Sequence, residues 1–312
     1  MRNFIKKTLY FLFILFLFLC MIFSPKISLH FSSQGLLIWF QTMIPTLLPF
    51  MILSSLAVKT QLHRIIVRVF APFFSAIYQI NTDSIYCIVF GSICGFPMGA
   101  KIAADLLENH YISRKECAYL LLFTNNIGPI YFINIVLQGV SPEHAVTALS
   151  GMYLIPLLYG FFLRYTLFHS MKITNVEHSI SRQSDCSFFY SLDDSITSSL
   201  TNITRLGGYM IFFNLCVCIP YHIINIVPLP RLYLMRLNCL FEISSGIQNV
   251  LNSTLSISEK EFLILPFVMF GGFSCLAQTM SMIRKTNISI IPYLWHKGVQ
   301  TLLYFVFLSL LN

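Results

Sequence analysis

Apolar runs of near-membrane length alternate along this chain with short breaks rich in Gly, Pro, Asn and charge. Some breaks separate one run from the next, and others cut a run in the middle. Leu9 to Phe23 is apolar throughout behind Arg2, Lys6 and Lys7, and Gly35 to Val58 is a second run, closed by Lys59, Arg64 and Arg68. A helix of about 20 apolar residues spans a bilayer, so both predict crossings. Ser84 to Leu107 is interrupted by Gly91, Gly95, Pro97 and Gly99 and ends in "ENHYISRKE", with Arg114 and Lys115. Basic residues flank it at both ends, which predicts a re-entrant hairpin that enters and leaves on one side. Glu116 to Leu137 crosses outward with a break at "TNNIGP", and His144 to Phe168 returns to a polar loop, Ser170 to Ser191, holding Lys172 and Arg182.

The second half repeats the plan. Ile203 to Pro220 crosses outward, Leu232 to Leu255 is a second interrupted hairpin, and Phe262 to Ile283, broken at "FGGFS", reaches Arg284 and Lys285. Ile288 to Leu311 then ends outside. With the N-terminus inside, most Lys and Arg fall on the cytoplasmic side, as the positive-inside rule requires. Lys26, Arg231, Arg236 and Lys260 fall outside, and Lys101, Arg205 and Lys297 are embedded or ambiguous. The first run has the n- and h-regions of a signal peptide but no small-x-small cleavage site after it, so a retained signal-anchor is expected.

Helix, interrupted hairpin, broken helix therefore occurs twice, with an odd number of crossings between the copies. This predicts an all-α polytopic membrane protein built as an inverted repeat, with two re-entrant hairpins and two broken transmembrane helices. The expected divisions are an anchor helix and short loop (1–34), gate repeat 1 (35–140), a connecting helix and cytoplasmic loop (141–195), gate repeat 2 (196–286) and a last crossing (287–312). Inverted repeats with discontinuous helices are the architecture of secondary transporters, whose solute sites use unwound backbone near the midplane. Lipid cannot satisfy such backbone, so it must be buried in protein or line a wet cavity.

Composition agrees: 56% of the 312 residues are hydrophobic and 10% charged, against about 25% charged in ordinary soluble proteins. The net charge of +8 comes from residues scattered at the ends of runs. No basic patch for nucleic acid forms. The nine cysteines include no C-x-x-C pair, so neither a disulfide framework nor a zinc site is expected. No P-loop, G-x-S-x-G or H-E-x-x-H motif is present, which leaves no catalytic residues, metal ligands or cofactor to assign.

Several segments carry a resemblance: "LPFMILSSLA", "GFPMGAKIAADLLENHYISRKE", "FTNNIGP", "FEISSGI" and "FGGFSCLAQTMSMIRKTNISIIPYLWHKG". In order and spacing, over nearly the whole chain after Gly35, they resemble the YlbJ family of sporulation integral membrane proteins, with paired nucleoside-recognition gate domains, distantly similar to concentrative nucleoside transporters. The resemblance implies a role in endospore formation, in the mother-cell membrane around the forespore. It also implies export of dipicolinate, a pyridine dicarboxylate, from the mother cell toward the forespore. A nucleoside or other small-solute transporter, and a non-transporting scaffold of a spore-assembly complex, are the alternatives. Partners on this reading are a small anionic solute and the bilayer, with room for homo-oligomers or sporulation membrane proteins. The second half has "ISSGIQNVLN" where the first has Gly-x-Pro-x-Gly, so the two half-sites are not equivalent.

Candidate solute-binding residues follow the breaks. In repeat 1 they are Gly95, Pro97, Gly99, Lys101, Asp105, Thr124, Asn125, Asn126 and Gly128; in repeat 2, Glu242, Ser244, Ser245, Gly271, Gly272, Ser274 and Gln278. The glycines and Pro97 alternatively shape a hairpin tip. Lys101 and Asp105 share a helix face and alternatively neutralise each other, although an ionisable residue at membrane depth is by default a functional hypothesis. Thr124, Asn125 and Asn126 alternatively cap freed backbone. Glu242 is a candidate for a coupling cation, or a partner of Arg236 or Arg205.

Overall fold

A computed structural model describes residues 2–171, 188–226 and 230–311. The expected polar loop with Lys172 and Arg182 lies for the most part outside the described residues. Everything regular among them is helical, and five helices are long and apolar enough to cross a membrane. The protein is an all-α polytopic membrane protein.

Helix α1 (Arg2–Phe23) is followed almost at once by α2 (Pro25–Ile38), a π-helical turn (Trp39–Met43) and α3 (Ile44–Lys59). These last three form one apolar helix of 35 residues, so the helix that carries the second expected crossing starts at Pro25, ahead of Gly35. Pro25 sits in the first turn of α2, where a missing N–H costs nothing, and no loop is needed after the anchor. Two short helices, α4 (Leu62–Val67) and α5 (Ala71–Tyr78), lead to the first hairpin, α6 (Thr82–Cys94) and α7 (Met98–Glu108). Then come α8 (Arg114–Thr124) and α9 (Pro129–Asn134), the halves of the broken helix, and α10 (Ala145–Tyr165).

Across the second half, α11 (Phe188–Cys216) and α12 (Cys218–Ile226) precede the hairpin α13 (Arg231–Phe241) and α14 (Ile243–Leu251). The broken helix is α15 (Ile257–Phe270) plus α16 (Gly272–Met282), and α17 (Ile290–Leu311) ends the chain. Helix α11 begins inside the stretch read as polar loop. Its buried face runs Ser195, Ser199, Ile203, Leu206, Met210, Asn214, a helical stripe of which the first two members are serines. Small residues let helices approach closely in a membrane, and α11 packs along α2 and α3 on this face. Hydropathy misses such a stripe because it scores serine as polar.

The packing of repeat 1 recurs in repeat 2. As α6 meets α7, α8 and α9, so α13 meets α14, α15 and α16; as α7 meets α8 and α8 meets α10, so α14 meets α15 and α15 meets α17. Among the described residues two large hydrophobic cores result, besides a small cluster of Cys20, Phe31, Val217 and Cys218, and the broken helices pass between the two large ones. Cys117 to Phe123 of α8 belong to the first core, whereas Phe132 of α9 belongs to the second. Conversely Leu263 to Met269 of α15 lie in the second core, and Met282 at the end of α16 in the first. The first break thus sits where the chain crosses from one core to the other, and in repeat 2 the crossing comes within α16, after Cys275.

Candidate functional site

The breaks are held open by close backbone packing. Gly95 has φ +88°, and a Cβ there would lie 2.5 Å from the Gly128 nitrogen; a Cβ on Gly99 would lie 2.5 Å from the Thr124 carbonyl oxygen. The Gly-x-Pro-x-Gly tip of the first hairpin is therefore seated on the Thr124 to Gly128 break of the same repeat. In repeat 2, Gly271 (φ +88°) ends α15 in the left-handed conformation, and Gly246 and Gly272 press against Cys239 of the facing hairpin helix. The two breaks also touch each other, since the Phe96 ring is the nearest group to Gly271.

Asn125 joins the repeats most directly. Its Nδ2 donates to Thr279 Oγ1 (2.8 Å) on α16 and to the Tyr293 hydroxyl (3.0 Å) on α17, while its Oδ1 accepts from the Ala100 N–H at 3.4 Å. Both polar ends are committed within the protein. Asn126 Nδ2 donates to the Phe123 carbonyl (2.7 Å), and its Oδ1 accepts from Lys297 Nζ (2.5 Å). Thr124 Oγ1 returns to the Leu120 carbonyl at 2.9 Å, closing the end of α8.

A cavity of about 380 Å³ lies between the broken elements and α3, within the range that holds small ligands. Gly95, Phe96, Ile127 and Gly128 line it from repeat 1, and Glu242, Ser244, Cys275 and Gln278 from repeat 2. Thr42, Thr46, Pro45 and Pro49, at and beyond the π-helical turn, close the α3 wall, and Tyr131 enters from α9. Such π turns are frequent at functional sites. The lining is mainly apolar with a few polar groups, as in many small-molecule sites.

Five of the sequence candidates therefore face the cavity: Gly95, Gly128, Glu242, Ser244 and Gln278. Gly99 and Gly272 serve packing, Gly271 the α15 to α16 break, and Pro97 the start of α7. Ser274 Oγ accepts from Gln278 Nε2 at 3.0 Å. Glu242 Oε2 accepts from the Ser245 N–H (2.7 Å) and caps α14; it pairs with neither Arg236 nor Arg205. Lys101 and Asp105, expected at the solute, do not line the cavity. Lys101 Nζ donates to both carboxylate oxygens of Asp105 at 2.5 Å, with side chains 7% and 14% exposed.

Two residues that the breaks alone did not single out are central. Phe96 lines the cavity and contacts the opposite break. Lys297, only 1% exposed on α17, holds Asn126 and lies with Nζ 5.2 Å from the Phe96 ring centroid. The signal for Lys297 was a single cation within an apolar run; it has no local partner in sequence to draw the eye. Among the described residues no three His, Cys, Asp or Glu gather as a metal would require.

No family model matches the chain, and no solved structure matches it. The chain is 27% identical over 330 residues to the sporulation integral membrane protein YlbJ of Bacillus subtilis (strain 168), covering 96% of this chain and 81% of that protein. This similarity supports a YlbJ-type assignment.

Proposed function

We propose that this chain is a transporter of endospore formation, moving a small solute, dipicolinate, out of the mother cell toward the forespore. The cavity between the two half-helix breaks carries this reading. Unwound backbone is expensive at membrane depth unless protein buries it or it serves a site, and here two separate breaks converge on one partly open cavity of ligand size. A packing scaffold has no need of either break. The role in sporulation and the choice of dipicolinate rest on the YlbJ likeness and the family resemblance.

The direct test is uptake of labelled dipicolinate by vesicles containing the purified protein, with nucleosides as competitors. Saturable uptake that unlabelled dipicolinate blocks is the expected result. Uptake blocked by uridine instead would favour a nucleoside, for which the Phe96 ring and the Gln278 amide on the cavity wall are suitable partners. Absence of any uptake by correctly folded protein would favour the scaffold. In cells, a strain without the protein should make heat-sensitive spores poor in dipicolinate while still synthesising the compound. A strain that makes no dipicolinate would overturn the transport reading.

A further inference from the structure

Lys297 is a fully buried lysine for which the described residues supply no counter-charge. Two of the embedded or ambiguous basic residues can be compared directly. Lys101 has Asp105, on its own helix face, in contact with both carboxylate oxygens. Lys297 has none: among the described residues no ion pair includes it. An ammonium has three donors and no acceptor, and among the described residues this one makes a single hydrogen bond, to Asn126 Oδ1. Its other close partner is the face of the Phe96 ring, an attraction weaker than a carboxylate would give. A charged side chain buried without counter-charge is costly, and lysines at membrane depth mark solute or ion pathways.

Its location adds a second, independent argument. Asn126 belongs to the break of the first repeat, and Phe96 to the hairpin tip that touches Gly271 at the break of the second. The ammonium therefore sits where the two breaks meet. Phe96 lines the cavity and Lys297 does not, so the ring that carries the ammonium is itself part of the cavity wall.

We propose that Lys297 is the anion-recognising residue of the site: a carboxylate of the solute replaces the Phe96 ring as the partner of its ammonium, with Asn126 holding the amine in place. This rests on the transport reading and names its substrate class, a small organic anion. Glu242, on the same cavity wall, opposes an anion, but its Oε2 is bound to the Ser245 N–H at the positive end of α14, which draws its charge toward the helix start.

The test compares three probes in vesicles carrying the full chain: dipicolinate, its neutral analogue pyridine-2,6-dicarboxamide, and uridine. Wild type should prefer the diacid to the diamide, by about tenfold or more if a charge-assisted contact decides. Lys297→Met keeps most of the stem and removes the charge, so it should bring the diacid down to within about twofold of the diamide. Lys297→Arg should retain part of the preference, its wider head fitting a carboxylate differently. Lys285→Met, at an exposed position, controls for net charge and should change nothing. Retention of the acid preference in a folded Lys297→Met protein overturns the inference and leaves transport standing. So does a wild type that takes up all three probes equally, a result that needs no variant at all. A wild type that takes up none of them overturns both the inference and the transport reading.

Discussion

The two buried lysines differ in the partners their neighbours give them. Lys101 and Asp105 are mutual partners in a buried setting, and removing one member of such a pair leaves the other uncompensated, at a cost of about 3 kcal/mol or more. Lys101→Met should therefore lower the apparent melting temperature of the purified protein, and adding Asp105→Asn should recover most of the loss. A single variant as stable as wild type would mean that the pair contributes nothing. Asp105 was readable as the partner of Lys101 because four residues separate them on one helix. Asn126 was not readable as the partner of Lys297, since 171 residues separate them. Sequence spacing encodes contacts within a helix and is silent on contacts between helices.

At the scale of elements, the hairpin tips and the broken helices are single units of backbone packing. A methyl group on Gly99 would meet the Thr124 carbonyl at 2.5 Å and the Asn125 Cα at 2.8 Å, atoms of main chain that cannot swing aside. Gly99→Ala should therefore push α7 off the break and destabilise by about 1–3 kcal/mol, visible as a lowered melting temperature together with reduced uptake. Gly208→Ala makes the contrast, because a Cβ there has open space; equal damage from both changes would refute the packing argument. The breaks were legible as Gly, Pro and Asn in apolar runs, since those residues interrupt helices by local chemistry. The true starts of α2 and α11 were less so. Pro25 reads as a turn until it proves to be in a first helical turn, and Ser195 and Ser199 look polar in sequence although both are buried in the folded chain.

For the molecule as a whole, the repeated packing of hairpin, broken helix and following helix is what an inverted duplication requires, and insertion in opposite senses adds a prediction about sides. The N-terminus and residues 170–191 should be cytoplasmic and the C-terminus outside. Labelling of single cysteines introduced at these places, in a variant without the native ones, should give protection for the first two and reaction for the third with an impermeant reagent. A protected C-terminus would rule out the inverted arrangement. That the chain is a polytopic helical membrane protein, where its helices break, and that the pattern occurs twice can all be read from the residues in order. Those properties follow from hydropathy and from residues whose effect on the backbone is local. Which polar groups meet comes from the folded packing: Asn125 with Thr279 and Tyr293, Lys297 with Asn126 and Phe96, Lys101 with Asp105 and outside the cavity lining. In a bilayer each polar group must find a partner somewhere, and which one it finds depends on how the two repeats cross.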